Sequence, residues 1–276
     1  MDLAGPWVLD EAPLADARIR HALFDFDGTL SLLREGWQEV MIANMLQALG
    51  EVKGRDRSQL ATEAADYVEA SAGELTLEQM RWLARWVSGY GKRARSPEEY
   101  KTDYTAGLRE IVDRRLRRIE VGELAADHFL VPGSADLLSS LRVRGIRMSL
   151  ASGTDHEDVL REARALGVDG YFGDDLFGAT DVHADGGNDL HGKERIVAML
   201  VERHGLEPGE LLVVGDGPVE MRCAVAARAI ALGVASDERR QSGWDPAKVR
   251  RLREAGAHVV VADLSDTARL AALLGL

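Results

Sequence analysis

The sequence predicts an α/β protein: a parallel sheet with helices on both faces, and an all-helical segment inserted after the first strand. Three observations carry this. After residue 130, short apolar runs such as LLVV (211–214) alternate with helix-patterned stretches, as in sheets buried on both faces. Residues 34–120 read as helix after helix, with no convincing strand. An apolar run of the strand type, HALFDF (21–26), stands just before them. The expected organisation is a core of residues 1–33 and 121–276 and a helical insert of 34–120.

Taken in order, residues 21–26 form the first expected strand. In the insert, Trp37, Val40, Met41, Met45 and Leu49 keep helical spacing, and Leu60, Ala64, Tyr67 and Val68 repeat it. Thr76-Leu77-Glu78-Gln79 fits a capping box, with Leu75 and Met80 placed as a hydrophobic staple. Ser96-Pro97-Glu98-Glu99 starts a helix that can run to about Arg118, with serine as the N-cap and proline in the first turn. Trp82 and Trp86, four apart, read as core or as an aromatic patch. Then come a strand ending at Ser152, a helix over 155–166, the strand 211–214, a helix over 218–228, the strand AIALGVAS, a helix through Arg251, the strand HVVVAD and a last helix. Residues 173–192, rich in Gly and Asp, read as a flexible loop.

The 276 residues are 46% hydrophobic and 29% charged, ordinary for a soluble globular chain. A net charge of −12 argues against non-specific nucleic-acid binding. Residues 81–118 depart from it, with eleven Lys and Arg against five Asp and Glu. That run is either a solvated helical face or a surface that draws in an anionic substrate. One cysteine, Cys223, an N-terminus without a signal pattern and no run of about 18 apolar residues point to a cytoplasmic protein without a membrane partner. A monomer or a homodimer is expected.

Ligands of open parallel sheets bind beyond the carboxyl ends of the strands. Asp25 and Asp27, Ser152 and Gly153, and Asp216 all fall at such ends, so three loops should share one crevice. Two carboxylates two residues apart repel and raise each other's pKa, unless a cation sits beside them. Alone, Asp27-Gly28 is a common turn dipeptide, Ser152-Gly153-Thr154 an ordinary helix cap, and Lys193 a surface lysine.

Together, DFDGT after one strand, SGT after another, the lysine at 193 and GDGPVE after a third resemble the haloacid dehalogenase superfamily over essentially the whole chain. The resemblance implies a Rossmann-like parallel core, and residues 34–120 are similar to its type C1 cap. It implies a phosphatase, a reaction class in which accelerations of up to about 10²¹-fold are known. By resemblance Asp25 is the nucleophile and forms an aspartyl-phosphate, and Asp27 is the general acid and base. Gly28, Thr29, Ser152, Gly153 and Lys193 match the phosphate-binding positions. Mg²⁺ is the implied cofactor, held by Asp25, the backbone carbonyl of Asp27, Asp216 and Glu220. Glu220 serves relatives as a ligand or as a partner of one, and many carry Asp there.

Asp27 argues against a dehalogenase or a phosphonatase, since those relatives lack the second aspartate. A phosphatase acting on a small phosphorylated metabolite, a sugar or polyol phosphate, is the expected function. A phosphomutase and a non-catalytic sensor of a phosphorylated ligand remain the alternatives. Asp181, His183, Asp185 and Gly186 imitate an EF-hand start, but Gly192 stands where a bidentate Glu is required. His183 and His191 are therefore read as solvent-exposed.

Overall fold

The computed structural model describes residues 7–72, 74–179 and 192–276. Its seven-stranded sheet comprises β1 (Trp7–Val8), β2 (His21–Phe24), β3 (Arg147–Ala151), β4 (Leu176–Phe177), β5 (Leu211–Gly215), β6 (Ile230–Val234) and β7 (Val259–Val261), in the order β1-β7-β6-β5-β2-β3-β4. All pairings are parallel except β1 with β7. The parallel α/β core is therefore as the sequence predicts, with 21–24 as the first parallel strand. Two edge strands were not expected. β1 and β4 have two residues each, too few for a period-two pattern to emerge, and β4 lies within the stretch read as loop. The EF-hand-like residues and His183 and His191 lie outside the described residues.

Side-chain alternation divides the core. Ala22, Phe24, Leu212 and Val214 face one layer with α6 (Ser134–Val143), α7 (His156–Ala165) and α11 (Thr267–Leu273). Leu23, Leu211 and Val213 face the other with α8 (Lys193–His204), α9 (Pro218–Ala226) and α10 (Pro246–Glu254). Both faces are thus covered, as the unbroken apolar strands require. Cys223 is buried in the second layer, and burial pushes its thiol up to about 12, so it is an inert packing group.

Between β2 and α6 lie α2 (Trp37–Leu49), α3 (Arg57–Ala70), α4 (Thr76–Gly89) and α5 (Pro97–Glu120), after the short α1 (Ala12–Ala15) that precedes β2. They pack about a cluster of their own, with Met41, Met45, Leu83 and Tyr100 at its centre. Ser96 makes the expected capping box: its Oγ accepts from Glu99 N at 3.2 Å, and Glu99 Oε2 accepts from Ser96 N at 3.0 Å. The box at Thr76 does not form. Leu75 is the N-cap and Thr76 is already helical, while the Gln79 side chain donates to Ser71 O and Oγ at 3.2 and 3.1 Å. Trp82 and Trp86 are half-buried and form a stacked strip with Tyr67, closed by Tyr90 edge-on.

The basic run of 81–118 is largely paired. Lys101 reaches Asp155 (2.6 Å) and Arg109 reaches Asp158 (3.0 Å), both on the α7 side, with Asp113 answering Arg161 (2.7 Å). Arg115 Nη1 donates to the carbonyls of Leu32, Leu33 and Glu35 at 3.2, 2.9 and 2.9 Å, and Nη2 to Glu35 Oε2 at 2.7 Å. Among the described residues, no helix is long and apolar enough to cross a membrane.

At the opposite end of β2 from the acids, His21 is fully buried, its Nε2 2.8 Å from Ser149 Oγ and its ring 4.7 Å from that of His204. Burial first, then the nearby charges of His204 and Arg147, lower its pKa from 6.5 to about 4. Between those values the unfolded chain holds a proton that the folded chain rejects, so stability is lost as pH falls through this window. Urea unfolding at pH 7 and pH 4.5 should show a loss in the wild type on the order of 2 kcal/mol larger than in His21→Gln. Equal losses in the two proteins would remove His21 as the cause.

Candidate active site

β2 sits between β3 and β5, with Phe24 opposite both Leu150 and Val214. The chain leaving these three adjacent strands delivers Asp25, Ser152 and Asp216 to one edge, as the strand ends predict. Asp25 N still bonds Val214 O at 2.9 Å, so the first acid is fixed by the ladder itself. The second stands just before a turn in which Gly28 N donates to Ser31 O at 2.9 Å. Gly28 has φ +75°, and a Cβ there would stand 2.3 Å from Asp216 Oδ2 and 2.9 Å from Glu238 Oε1. Only glycine admits both carboxylates so close to the backbone. Thr29, fully buried, donates its hydroxyl to Asp25 Oδ2 at 3.3 Å.

Lys193, the first residue of α8, places its buried ammonium between Asp25 Oδ1 and Glu220 Oε1. Burial alone would lower the ammonium's pKa, but Asp25 and Glu220 raise it well above its ordinary range. Asp25 is itself raised, by burial first, with Glu220 and Asp216 adding to the shift and Lys193 opposing it. Asp27 is half-buried and also raised by burial. Its donors work against that shift: Arg34 Nε at 3.6 Å, and the hydroxyls of Thr154 and Ser152 at 3.1 and 3.3 Å. The two aspartates therefore occupy separate environments, one held by a lysine and one by hydroxyls and an arginine.

Ser152 is not a helix cap. Asp155 holds the N-cap position of α7, and Ser152 Oγ accepts from Thr154 N at 3.1 Å while reaching Asp27. Gly153 packs against the backbone of Glu74 and Leu75, where a Cβ would meet Glu74 O at 3.0 Å. The glycines of Gly215-Asp216-Gly217 make room for Glu220: a Cβ on Gly215 would lie 2.4 Å from Glu220 Cγ, and one on Gly217 2.7 Å from its Oε2.

Four charged residues join the site that no motif had indicated. Arg34 forks onto the fully buried Glu162 of α7 at 2.6 and 3.0 Å. Lys248 of α10 lies 2.7 Å from Asp216 Oδ2 and 2.6 Å from Glu238 Oε1. The only sequence signal for Arg34 is a charge directly after the apolar pair Leu32-Leu33, and a lone lysine in a basic helix gives none for Lys248. Thr154 was visible in the SGT stretch without being assigned a role.

Among the described residues, no three or more acid, histidine or cysteine side chains are drawn together as a metal-ligand set. Magnesium does not require one, since it takes one or two carboxylates with carbonyl, phosphate and water oxygens. The donor set fits it in charge: Asp216 lies close enough to Asp25 to raise its pKa, and among the described residues buried Glu220 Oε2 has no hydrogen-bond partner. Two anions in one desolvated crevice favour a cation between them. The cavity above the acids, about 80 Å³, is shared by Lys193 and Ser152 from below and by Trp37, Gln38, Glu74 and Tyr104 from the helical segment.

The chain as a whole has known relatives. The chain is 24% identical over 220 residues to phosphoglycolate phosphatase of Escherichia coli (strain K12), covering 78% of this chain and 81% of that protein. It shares its fold with a β-phosphoglucomutase from Clostridium difficile at a TM-score of 0.62 and 14% identity, over 94% of this chain and 98% of that one. It also shares it with a hydrolase from Pseudomonas syringae at 0.59 and 20%, over 91% and 96%. The sequence pattern of the haloacid dehalogenase-like hydrolases matches residues 19–228, most of the chain, and the protein belongs to that family.

Proposed function

We propose that the protein is a magnesium-dependent phosphatase that hydrolyses a small phosphorylated metabolite through an aspartyl-phosphate on Asp25. The observation that carries this reading is the division of labour between the two aspartates: Asp25 is gripped by a buried ammonium, and Asp27 by two hydroxyls and an arginine. A nucleophile needs its charge kept, which the ammonium favours; a general acid needs a proton to give, which burial favours at Asp27 against its arginine and hydroxyl donors. The phosphatase relative supports hydrolysis of a phosphate monoester.

In the first step an Asp25 oxygen attacks phosphorus and the bond to the leaving oxygen breaks, while Asp27 gives that oxygen its proton. In the second, Asp27 takes a proton from water as the water oxygen attacks the phosphorus of the aspartyl-phosphate. Inorganic phosphate leaves and Asp25 is restored. Lys193 offsets charge on the phosphoryl oxygens as a point charge. Ser152 and the backbone at Gly28, Thr29 and Gly153 supply further donors. Asp25, the Asp27 carbonyl, Asp216 and Glu220 are the residues that would hold Mg²⁺, whose charge would screen the phosphoryl oxygens and keep Asp25 ionised.

We further infer that residues 34–120 act as a cap over a core of 1–33 and 121–276. Trp37, Gln38, Glu74 and Thr76 offer an aromatic face, donors and acceptors to the leaving group, which suits the hydroxyls of a sugar or polyol.

Phosphate release from sugar, polyol and other small phosphate monoesters should require Mg²⁺, stop with EDTA and be abolished in Asp25→Asn. Release that persists in Asp25→Asn would exclude the covalent route. Isomerisation of a sugar phosphate without release would favour a mutase, and binding without turnover a sensor.

Asp27→Asn should separate the acid's role from the nucleophile's. For alkyl phosphates kcat is expected to fall by about 10² to 10⁴. For an aryl phosphate such as p-nitrophenyl phosphate, whose leaving group departs without a proton, formation of the intermediate should slow far less in a stopped-flow burst. A uniform loss across leaving groups would argue against Asp27 as the acid.

A further inference from the structure

Lys248 is the second buried lysine at this edge of the sheet, and the reaction just described gives it no part. It lies in the first turn of α10 and is 2% exposed. The two lysines repeat one arrangement. Lys193 bridges Asp25 and Glu220, whereas Lys248 bridges Asp216 (2.7 Å) and Glu238 (2.6 Å). Glu238 belongs to the loop after β6, and its Oε1 and Asp216 Oδ2 converge over the Cα of Gly28.

Burying an ammonium is costly, and α10 has other anchors. Its N-terminus is capped by Asp245, whose Oδ1 accepts from Ala247 N and Lys248 N at 2.8 and 3.2 Å, and Leu252 fixes its inner face in the core. The ammonium is directed instead at the acid that would hold a cation. A positive charge at that distance from a ligand carboxylate repels a divalent ion approaching the same carboxylate, weakly screened because the pair is buried. The carboxylate of Glu238 acts in the opposite direction. It adds negative charge beside Asp216 and shares the ammonium that would otherwise rest on Asp216 alone.

We propose that Lys248 and Glu238 are a positioning pair that sets the divalent-cation affinity of the site through Asp216, Lys248 holding it down and Glu238 holding it up. The proposal rests on the reading of Asp216 as a cation ligand. Its consequence is a cation site kept exchangeable by an internal competitor, with a charge balance that depends on two residues touching neither the nucleophile nor the acid.

Calorimetric titration of Mg²⁺ into the substrate-free protein tests it, comparing wild type, Lys248→Met, Glu238→Gln and the double variant. Lys248→Met should bind at least about tenfold more tightly and Glu238→Gln more weakly by a similar factor, with the double variant returning toward wild type. A purely structural pair would weaken binding in both single variants alike, and that result overturns the proposal, as does unchanged affinity in either. If Lys248→Met does not fold, Glu238→Gln and the double variant, which removes both buried charges, decide it: the first must weaken binding and the second must bind more tightly than the first. No Mg²⁺ binding by the wild type would overturn the metal reading itself. Binding by the wild type without opposed shifts would overturn only the part given to Lys248 and Glu238.

Discussion

The buried ammonium of Lys193 is the interaction on which the site depends. Parallel strands covered on both faces end in a region of low dielectric, and this chain ends β2 and β5 in acids. Asp25 is raised by burial and by its neighbours Glu220 and Asp216, and Lys193 opposes that shift by favouring the charged carboxylate. Lys193 is the first residue of α8, a position where the helix dipole disfavours a positive charge. Two carboxylates outweigh that penalty. Glu220, in the first turn of α9, enjoys the opposite dipole effect, so each partner of the pair is oriented by its own helix end.

Steric constraint does the rest. The acids can crowd one edge only where the backbone beneath them lacks side chains. Gly28 admits Asp216 and Glu238, and Gly215 and Gly217 admit the folded-back side chain of Glu220. The glycine positions in DFDGT and GDGPVE thus have a shared physical cause: each lies beneath a carboxylate that a Cβ would displace. Turn geometry alone explains Gly28, whose φ is positive, but not Gly215 or Gly217, which have ordinary backbone angles.

Much of the fold was legible because buried parallel strands write themselves as apolar runs, and LLVV and HVVVAD could hardly be anything else. β1 and β4 were not, because two residues carry no period. Thr76 was misread because a capping box is a pattern of residue types, whereas the cap is decided by which backbone unit first turns helical, and that is Leu75. The site divides in the same way. Asp25, Asp27, Ser152, Lys193, Asp216 and Glu220 sit at ends of elements, where position can be read along the chain. Arg34 and Glu162 are 128 residues apart, and Lys248 reaches Asp216 from another helix. Their roles arise from packing, and nothing local in the sequence distinguishes them from surface charges.

The ion pairs between the helical segment and the sheet layer are of two kinds. Along α5 the links to the α7 side are Lys101–Asp155, Arg109–Asp158 and Arg161–Asp113, and all involve a partly exposed cation. Pairs of that kind contribute little, about 0–1 kcal/mol each, and are readily exchanged for water. At residues 32–36 the contacts are of another kind. Arg115 holds three backbone carbonyls at once, and Arg34 is forked onto Glu162 in a buried pair. Breaking a buried pair of this type is far more costly than breaking a surface one. The strong links between the helical segment and the sheet therefore lie at residues 32–36, and the weak ones along α5 and α7. Because Arg34 also stands 3.6 Å from Asp27, one buried side chain ties the second aspartate to this firm end of the contact.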